Sequence, residues 1–318
     1  MDEGKTGLPA TVQRRTNHAS IAAGLCFAVF LWGGNNTGVK YLVKFWPPIF
    51  TGCTRFLAAG VLFCVLLRWT KIFGETHAVS RELNRSLWWR GGLSLGLYIL
   101  AFNWALKFSS VSHVALYLGA SPVWALLWEG RPQRSWQSAQ RYGAAALAFC
   151  GVAVLLWPAL RRGTGSAPGE FLGVACSVLW THFGRQCRVL GRDLTGPEVS
   201  AHTFWRAGVL LAPFSLVEIL LQGAPMQTKL LSIQLFCILG GGIGAFALWN
   251  GALRYWKTSQ VYLFNNLIPL SSMAWAHFCL DEPVTPTFWR AMILIGAGVL
   301  LGQANWEKFF GRRWLPTE

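Results

Sequence analysis

The sequence predicts an all-α membrane protein of ten transmembrane helices, built as two inverted five-helix repeats. Three observations carry that prediction. First, 53% of the 318 residues are hydrophobic and only 13% are charged. That is about half the charged share of a soluble domain, and the apolar residues fall into runs of about 20, the length that crosses a bilayer. Second, Lys and Arg gather in short clusters between those runs. Third, the phrase "FNWALKF" (102–108) returns as "WNGALRY" (249–255), with Asn103 and Asn250 in the same slot.

Residues 1–19 are polar and basic and form a tail. The apolar run after them is too long for a signal-peptide core and lacks a convincing A-x-A site, so it is expected to be retained as span 1. Ten spans follow in order, at 20–43, 48–69, 87–106, 110–129, 140–158, 170–189, 198–221, 231–253, 259–280 and 287–305. Several connectors are a few residues long, which makes most neighbours antiparallel hairpins. The connector "ALRRGTGSAPGE" (159–170) is rich in Gly, Ser and Pro and divides the chain near its middle. The expected organisation is a tail (1–19), repeat one (20–158), a linker (159–169), repeat two (170–305) and a second tail (306–318).

With the N-terminus inside, the cytoplasmic segments carry 19 Lys and Arg and the outer segments seven. The positive-inside rule then places both termini in the cytoplasm. The net charge of +15 is accounted for by these loops, and no nucleic-acid partner is expected. Eighteen tryptophans fit membrane interfaces. The eight cysteines are scattered without a C-x-x-C pair, so no disulfide framework, metal site or other cofactor is expected.

The doubled phrase extends into a repeat. At an offset of 147, Asn103 meets Asn250, Lys107 meets Arg254, Pro122 meets Pro269 and Gly151-Val152 meets Gly298-Val299. Earlier spans align at other offsets, Trp32 with Trp180 at 148 and Arg55 with Arg206 at 151. An odd number of spans per half makes the second half enter the membrane from the opposite side. That is the inverted-repeat architecture of carriers with a midplane site.

Several segments resemble the drug/metabolite transporter superfamily in its EamA-like branch. They are "FLWGGNNTGVKYL" in span 1, Arg55-Phe56 in span 2, the two segments ending at Pro122 and Pro269, and "LDEPVTPTFWRAMILIGAGVLL" near the end. Glu282 falls thirteen residues after Pro269, as that family's turn requires; the first half departs, with Ser135 there and Glu129 the nearest acid. The resemblance implies a ten-span carrier that exports or exchanges small metabolites. It implies a central cavity lined chiefly by spans 1, 3, 4, 6, 8 and 9, and a bacterial inner membrane as location.

The residues suggest where a substrate would bind. Asn35 and Asn36 lie among three glycines in span 1, and polar groups at that depth face a bundle interior or a cavity. Asn103 and Asn250, the latter beside Trp249, can bind a zwitterion or bridge helices; bridging is the slightly favoured reading. His113 and Tyr117 precede Pro122, and Tyr262, Asn265 and Asn266 precede Pro269. Tyr262, Asn266 and Pro269 share one helix face. Both prolines are expected as hinges, since Pro removes an intrahelical hydrogen bond. Arg55 and Arg206 are the basic residues well inside spans; either can hold a carboxylate, and a structural role is the favoured reading for both. Glu218 is the one acid within a span, which favours a facilitator or exchanger over a proton antiporter.

The expected function is transport of small neutral or zwitterionic metabolites, amino acids or related compounds, by alternating access. The expected partners are that solute and the bilayer, with the protein taken as a monomer. A membrane-embedded enzyme or a non-transporting sensor or assembly subunit are the alternatives. No H-E-x-x-H is present, and no enzyme is expected.

Overall fold

The computed structural model describes residues 18–71, 73, 76–109, 111–119, 121–129, 136–161, 167–280 and 286–303. Among them every regular element is helical. Helix α1 (His18–Leu42) and α2 (Pro48–Trp69) are followed by α3 (Arg81–Ser86), which runs through a π-helical segment (Leu87–Leu93) into α4 (Ser94–Phe108). Then come α5 (Val111–Gly119), α6 (Ser121–Glu129), α7 (Trp136–Arg161), α8 (Ala167–Leu190) and α9 (Gly196–Gln222). A second π-helical segment (Cys237–Gly244) joins α10 (Thr228–Phe236) to α11 (Ala245–Tyr255). Helix α12 (Thr258–Tyr262), a 3₁₀ segment (Leu263–Leu267) and α13 (Ile268–Leu280) form one broken rod, and α14 (Pro286–Gln303) follows.

Among the described residues, four helical stretches are long and apolar enough to cross a membrane by themselves: His18–Leu42, Pro48–Trp69, Gly196–Gln222 and Thr228–Tyr255. Their outer faces are greasy. Phe214, Leu216, Val217, Leu220 and Leu221 of α9 are all more than half exposed, a patch that water would penalise and lipid does not.

The third helical rod begins at Arg81, earlier than the apolar run indicates. Ser80 is the reason: its Oγ accepts from the Leu83 amide at 3.1 Å and caps the helix. Helix α2 starts at Pro48 after Pro47, with no side-chain cap of its own. The cap comes from α9, where Glu218 Oε2 accepts from the amides of Ile49 (2.8 Å) and Phe50 (3.0 Å). Glu218 therefore has a structural task, satisfying donors that the first helical turn leaves free.

Pro122 and Pro269 are each the second residue of a helical segment, α6 and α13. In a first turn the missing amide proton breaks nothing and the fixed φ suits the helix. Before Pro269 the rod is a 3₁₀ segment, Leu263–Leu267. Ser135 and Glu282 lie outside the described residues.

Helices α2 and α9 pack along their length, as do α7 and α14. A Cβ on Gly60 would lie 2.3 Å from the Trp205 amide nitrogen, and one on Gly208 would lie 2.7 Å from Leu57 Cβ. Gly60 and Gly208 are 148 positions apart, and so are Leu57 and Trp205. Phe56 and Phe204, with the same spacing, touch edge to face at 4.9 Å. Likewise Gly151 packs on Ile295, and Gly298 on Ala148, each pair of equivalents offset by 147. These contacts are reciprocal, so two halves of one pattern face each other. They also correct one pairing. A register of 148 sets Arg55 against Thr203, so the Arg55–Arg206 match at 151 is not the structural equivalence.

Reciprocal packing makes a testable statement. Gly60→Val and Gly208→Val each force side-chain atoms into an occupied helix contact, at about 1–3 kcal/mol. Thermal unfolding in detergent should show both variants destabilised to a similar degree. A large loss at one site and none at the other would contradict the reciprocal contact.

Candidate functional site

A narrow internal cavity lies between the two halves. Its walls include Trp32, Asn35 and Asn36 of α1, Arg55 of α2, and Tyr98 and Phe102 of α4. Leu118, Trp180, Gly241, Phe246 and Ile268 complete it from α5, α8, the second π segment, α11 and α13. The cavity volume is about 30 Å³, room for about two waters.

Aromatic rings make most of this enclosure. Trp32 stands at the centre, 5.4 Å from Trp180, 5.1 Å from Phe246 and 4.8 Å from Trp249 between ring centroids. Its indole N–H donates to Gly241 O at 2.9 Å, which fixes the ring. Tyr98 lies 4.9 Å from Trp180 and 5.6 Å from Phe102. Trp249 and Tyr262 form a second layer, 5.4 Å apart. The Tyr262 hydroxyl donates to Trp180 O at 2.5 Å.

One positive charge faces these rings. Arg55 is 4% exposed, and its Nη1 donates to Asn35 Oδ1 at 3.0 Å. The guanidinium also lies over the Phe56 ring, 4.4 Å from its centroid. Its Nε has no hydrogen-bond partner, and among the described residues Arg55 makes no ion pair. A buried guanidinium without a counter-charge is costly. Asn35 is itself positioned from behind: a Cβ on Gly241 would lie 2.5 Å from its Oδ1, so only glycine lets the π segment approach.

The structure thus brings together Asn35, Asn36 and Arg55 from the sequence-predicted set. Trp249 and Tyr262 support the wall without lining the cavity. Tyr117 packs against α8, where a Cβ on Gly173 would lie 2.4 Å from its ring. Asn265 and Asn266 are buried in the 3₁₀ segment away from the cavity lining; Asn266 Nδ2 donates to Leu263 O at 3.2 Å. The side chain of His113 lies outside the described residues. The prolines begin α6 and α13, and Pro269 adjoins the lining residue Ile268.

Asn103 and Asn250 are helix bridges. Asn103 Nδ2 donates to Pro48 O at 2.8 Å and Asn250 Nδ2 to Ser200 Oγ at 2.9 Å. Each ties the third rod of its half to the first turns of the second, α2 or α9. Asn103→Ala is expected to lower stability by about 1–2 kcal/mol, a lost buried hydrogen bond. It should leave the ranking of transported solutes unchanged, which a flux panel on the surviving folded protein checks.

Sequence reasoning missed Trp32, Tyr98, Phe102, Trp180 and Phe246 as site residues. A signal was present. Trp32 and Trp180 are 148 apart, and Phe102 meets Trp249 at the offset of 147 that pairs Asn103 with Asn250; an aromatic at the same place in each half marks the wall. Trp249, one of the tryptophans expected to fit membrane interfaces, is fully buried.

A protein named a probable amino-acid metabolite efflux pump, from Escherichia coli (strain K12), is 24% identical over 90% of this chain and 93% of its own. Its namesake from Salmonella typhimurium is 25% identical over 86% and 91%. An uncharacterized transporter from Archaeoglobus fulgidus is 23% identical over 88% and 96%. A solved crystal structure superposes with a TM-score of 0.70 at 18% identity, covering 90% of this chain and 97% of its own; it shows the shared fold. The EamA-like transporter family matches at residues 19–157 and again at 167–302, and the chain, a multi-pass membrane transporter, belongs to that family.

Proposed function

We propose that this protein moves small zwitterionic metabolites, amino acids or close derivatives, out of the cell or in exchange. Arg55, held by Asn35, receives the substrate carboxylate. Trp32, Tyr98, Trp180 and Phe246 receive its apolar or aromatic part. The observation that carries this reading is the Arg55 guanidinium, buried and without an acid, at the wall of an aromatic cavity. A carboxylate there gains charge-assisted hydrogen bonds in a site where water screens little.

Two features support alternating access. A cavity of about 30 Å³ is far below the roughly 300 Å³ of ordinary ligand pockets, so the substrate enters only when the halves part. The reciprocal α2–α9 and α7–α14 contacts then favour ten spans in two inverted repeats, 20–158 and 170–305, rocking about a shared midplane. The basic connectors favour both termini in the cytoplasm, and the bacterial relatives favour the bacterial inner membrane. The names of the Escherichia and Salmonella relatives support amino-acid-like cargo.

Flux into proteoliposomes tests the reading. Labelled amino acids are compared with the amines and amides that lack the carboxylate, with and without a pH gradient. Uptake of carboxylates above their analogues is expected. Folded protein that moves nothing across the panel, or moves the amines equally well, would sink it.

A further inference from the structure

A second cavity, of about 390 Å³, opens on the outer face of the third rod, remote from the aromatic wall. Arg81, Asn84 and Arg85 line one end, Trp88 and Trp89 its middle, and Leu93 and Leu210 the other end. Among the described residues no acid lines it. Behind it stands the buried Arg206. Its Nη2 donates to Asn84 Oδ1 at 2.6 Å and its Nη1 to His202 O at 2.8 Å. The guanidinium lies over the rings of Trp205 (4.2 Å) and Trp88 (5.5 Å), and its Nε has no partner. Two guanidiniums thus line one end of a cleft whose other end is hydrocarbon, and a third stands behind Asn84.

We propose that this cleft binds an anionic phospholipid, with the headgroup phosphate between Arg81 and Arg85. The guanidinium fork matches phosphate oxygens. The apolar end decides between a lipid and a free anion. Leu93 and Leu210 are each 36% exposed, and beyond Leu210 the surface of α9 continues apolar through Phe214 and Val217. That strip gives an acyl chain a continuous path out of the cleft; a free phosphate has no use for it. Trp89, 65% exposed, sits where tryptophan marks the headgroup level. The site is independent of the substrate reading, so either can fail alone.

Native mass spectrometry of the full-length protein, delipidated in neutral detergent and titrated with phosphatidylglycerol, tests this. One lipid per chain should bind with preference over phosphatidylcholine. Arg81→Gln with Arg85→Gln should weaken it about 30-fold, since one basic contact at the surface contributes about fivefold. Arg192→Gln, an exposed arginine elsewhere, should leave binding unchanged. Leu210→Trp, which fills the apolar end and keeps both arginines, should also lose the lipid; it serves if the double variant does not fold. Inorganic phosphate at the same concentrations should not compete. Competition by phosphate, undiminished lipid binding in both cleft variants, or equal loss in the Arg192 control would each overturn the proposal.

Discussion

Arg55→Gln should cut flux of carboxylate substrates about 10- to 150-fold. That range is the worth of hydrogen bonds to a charged group, about 1.5–3 kcal/mol. The same substitution should leave thermal stability unchanged or raised. Arg55 is buried with Asn35 as its hydrogen-bond partner and no ion pair among the described residues, so the folded state carries the desolvation of the charge with little return. Loss of transport together with gain of stability marks a group kept for a ligand. Arg55→Lys keeps the charge and loses the fork, so it should restore part of the flux. If instead Arg55→Gln unfolds the protein while the lysine variant does not, the guanidinium is a structural strut.

Trp32→Ala should give the largest loss of stability among the cavity residues, about 3–5 kcal/mol. Three rings lie within 5.4 Å of it and Gly241 O loses its donor. Trp32→Phe separates folding from recognition. It keeps a ring between Trp180 and Trp249 and gives up the bond to Gly241, about 1 kcal/mol. The folded Phe variant should transport with an altered preference among aromatic and aliphatic solutes. Unchanged preference would mean that Trp32 packs the core and does not meet substrate. Melting curves and a flux panel on the same preparations read both effects.

Much of the architecture was legible because it rests on coarse physics. Span-length apolar runs, basic connectors and a phrase repeated at a fixed offset survive any detail of packing. Asn35, Asn36 and Arg55 were legible for a related reason: polar groups deep in an apolar run need a buried partner, and here they share one cavity. The aromatic wall was harder to see. A tryptophan in a membrane protein reads first as an interface anchor, and burial of Trp32, Trp180 and Trp249 depends on which helix faces meet. The asparagines illustrate the opposite case. Asn103 and Asn250 stand out in sequence, yet an amide can bridge helices as well as bind a zwitterion, and only the positions of Pro48 and Ser200 decide. Arg206 was misaligned because a shift of three residues keeps a helix face, so arginines 151 apart look equivalent until the glycine contacts fix the register at 148. The π segments were not legible either. They contain Gly91-Gly92 and Gly240–Gly242, but glycine runs in membrane helices usually signal close packing alone.

The central claim is that Arg55 reads the substrate carboxylate within the aromatic cavity. Its most direct test is counterflow of one labelled amino acid against excess unlabelled amino acid or its carboxamide, in wild type and Arg55→Gln. The account predicts a strong preference for the carboxylate in wild type that collapses to near equality in the variant. A preference that persists at full strength in Arg55→Gln would place carboxylate recognition elsewhere and contradict the account.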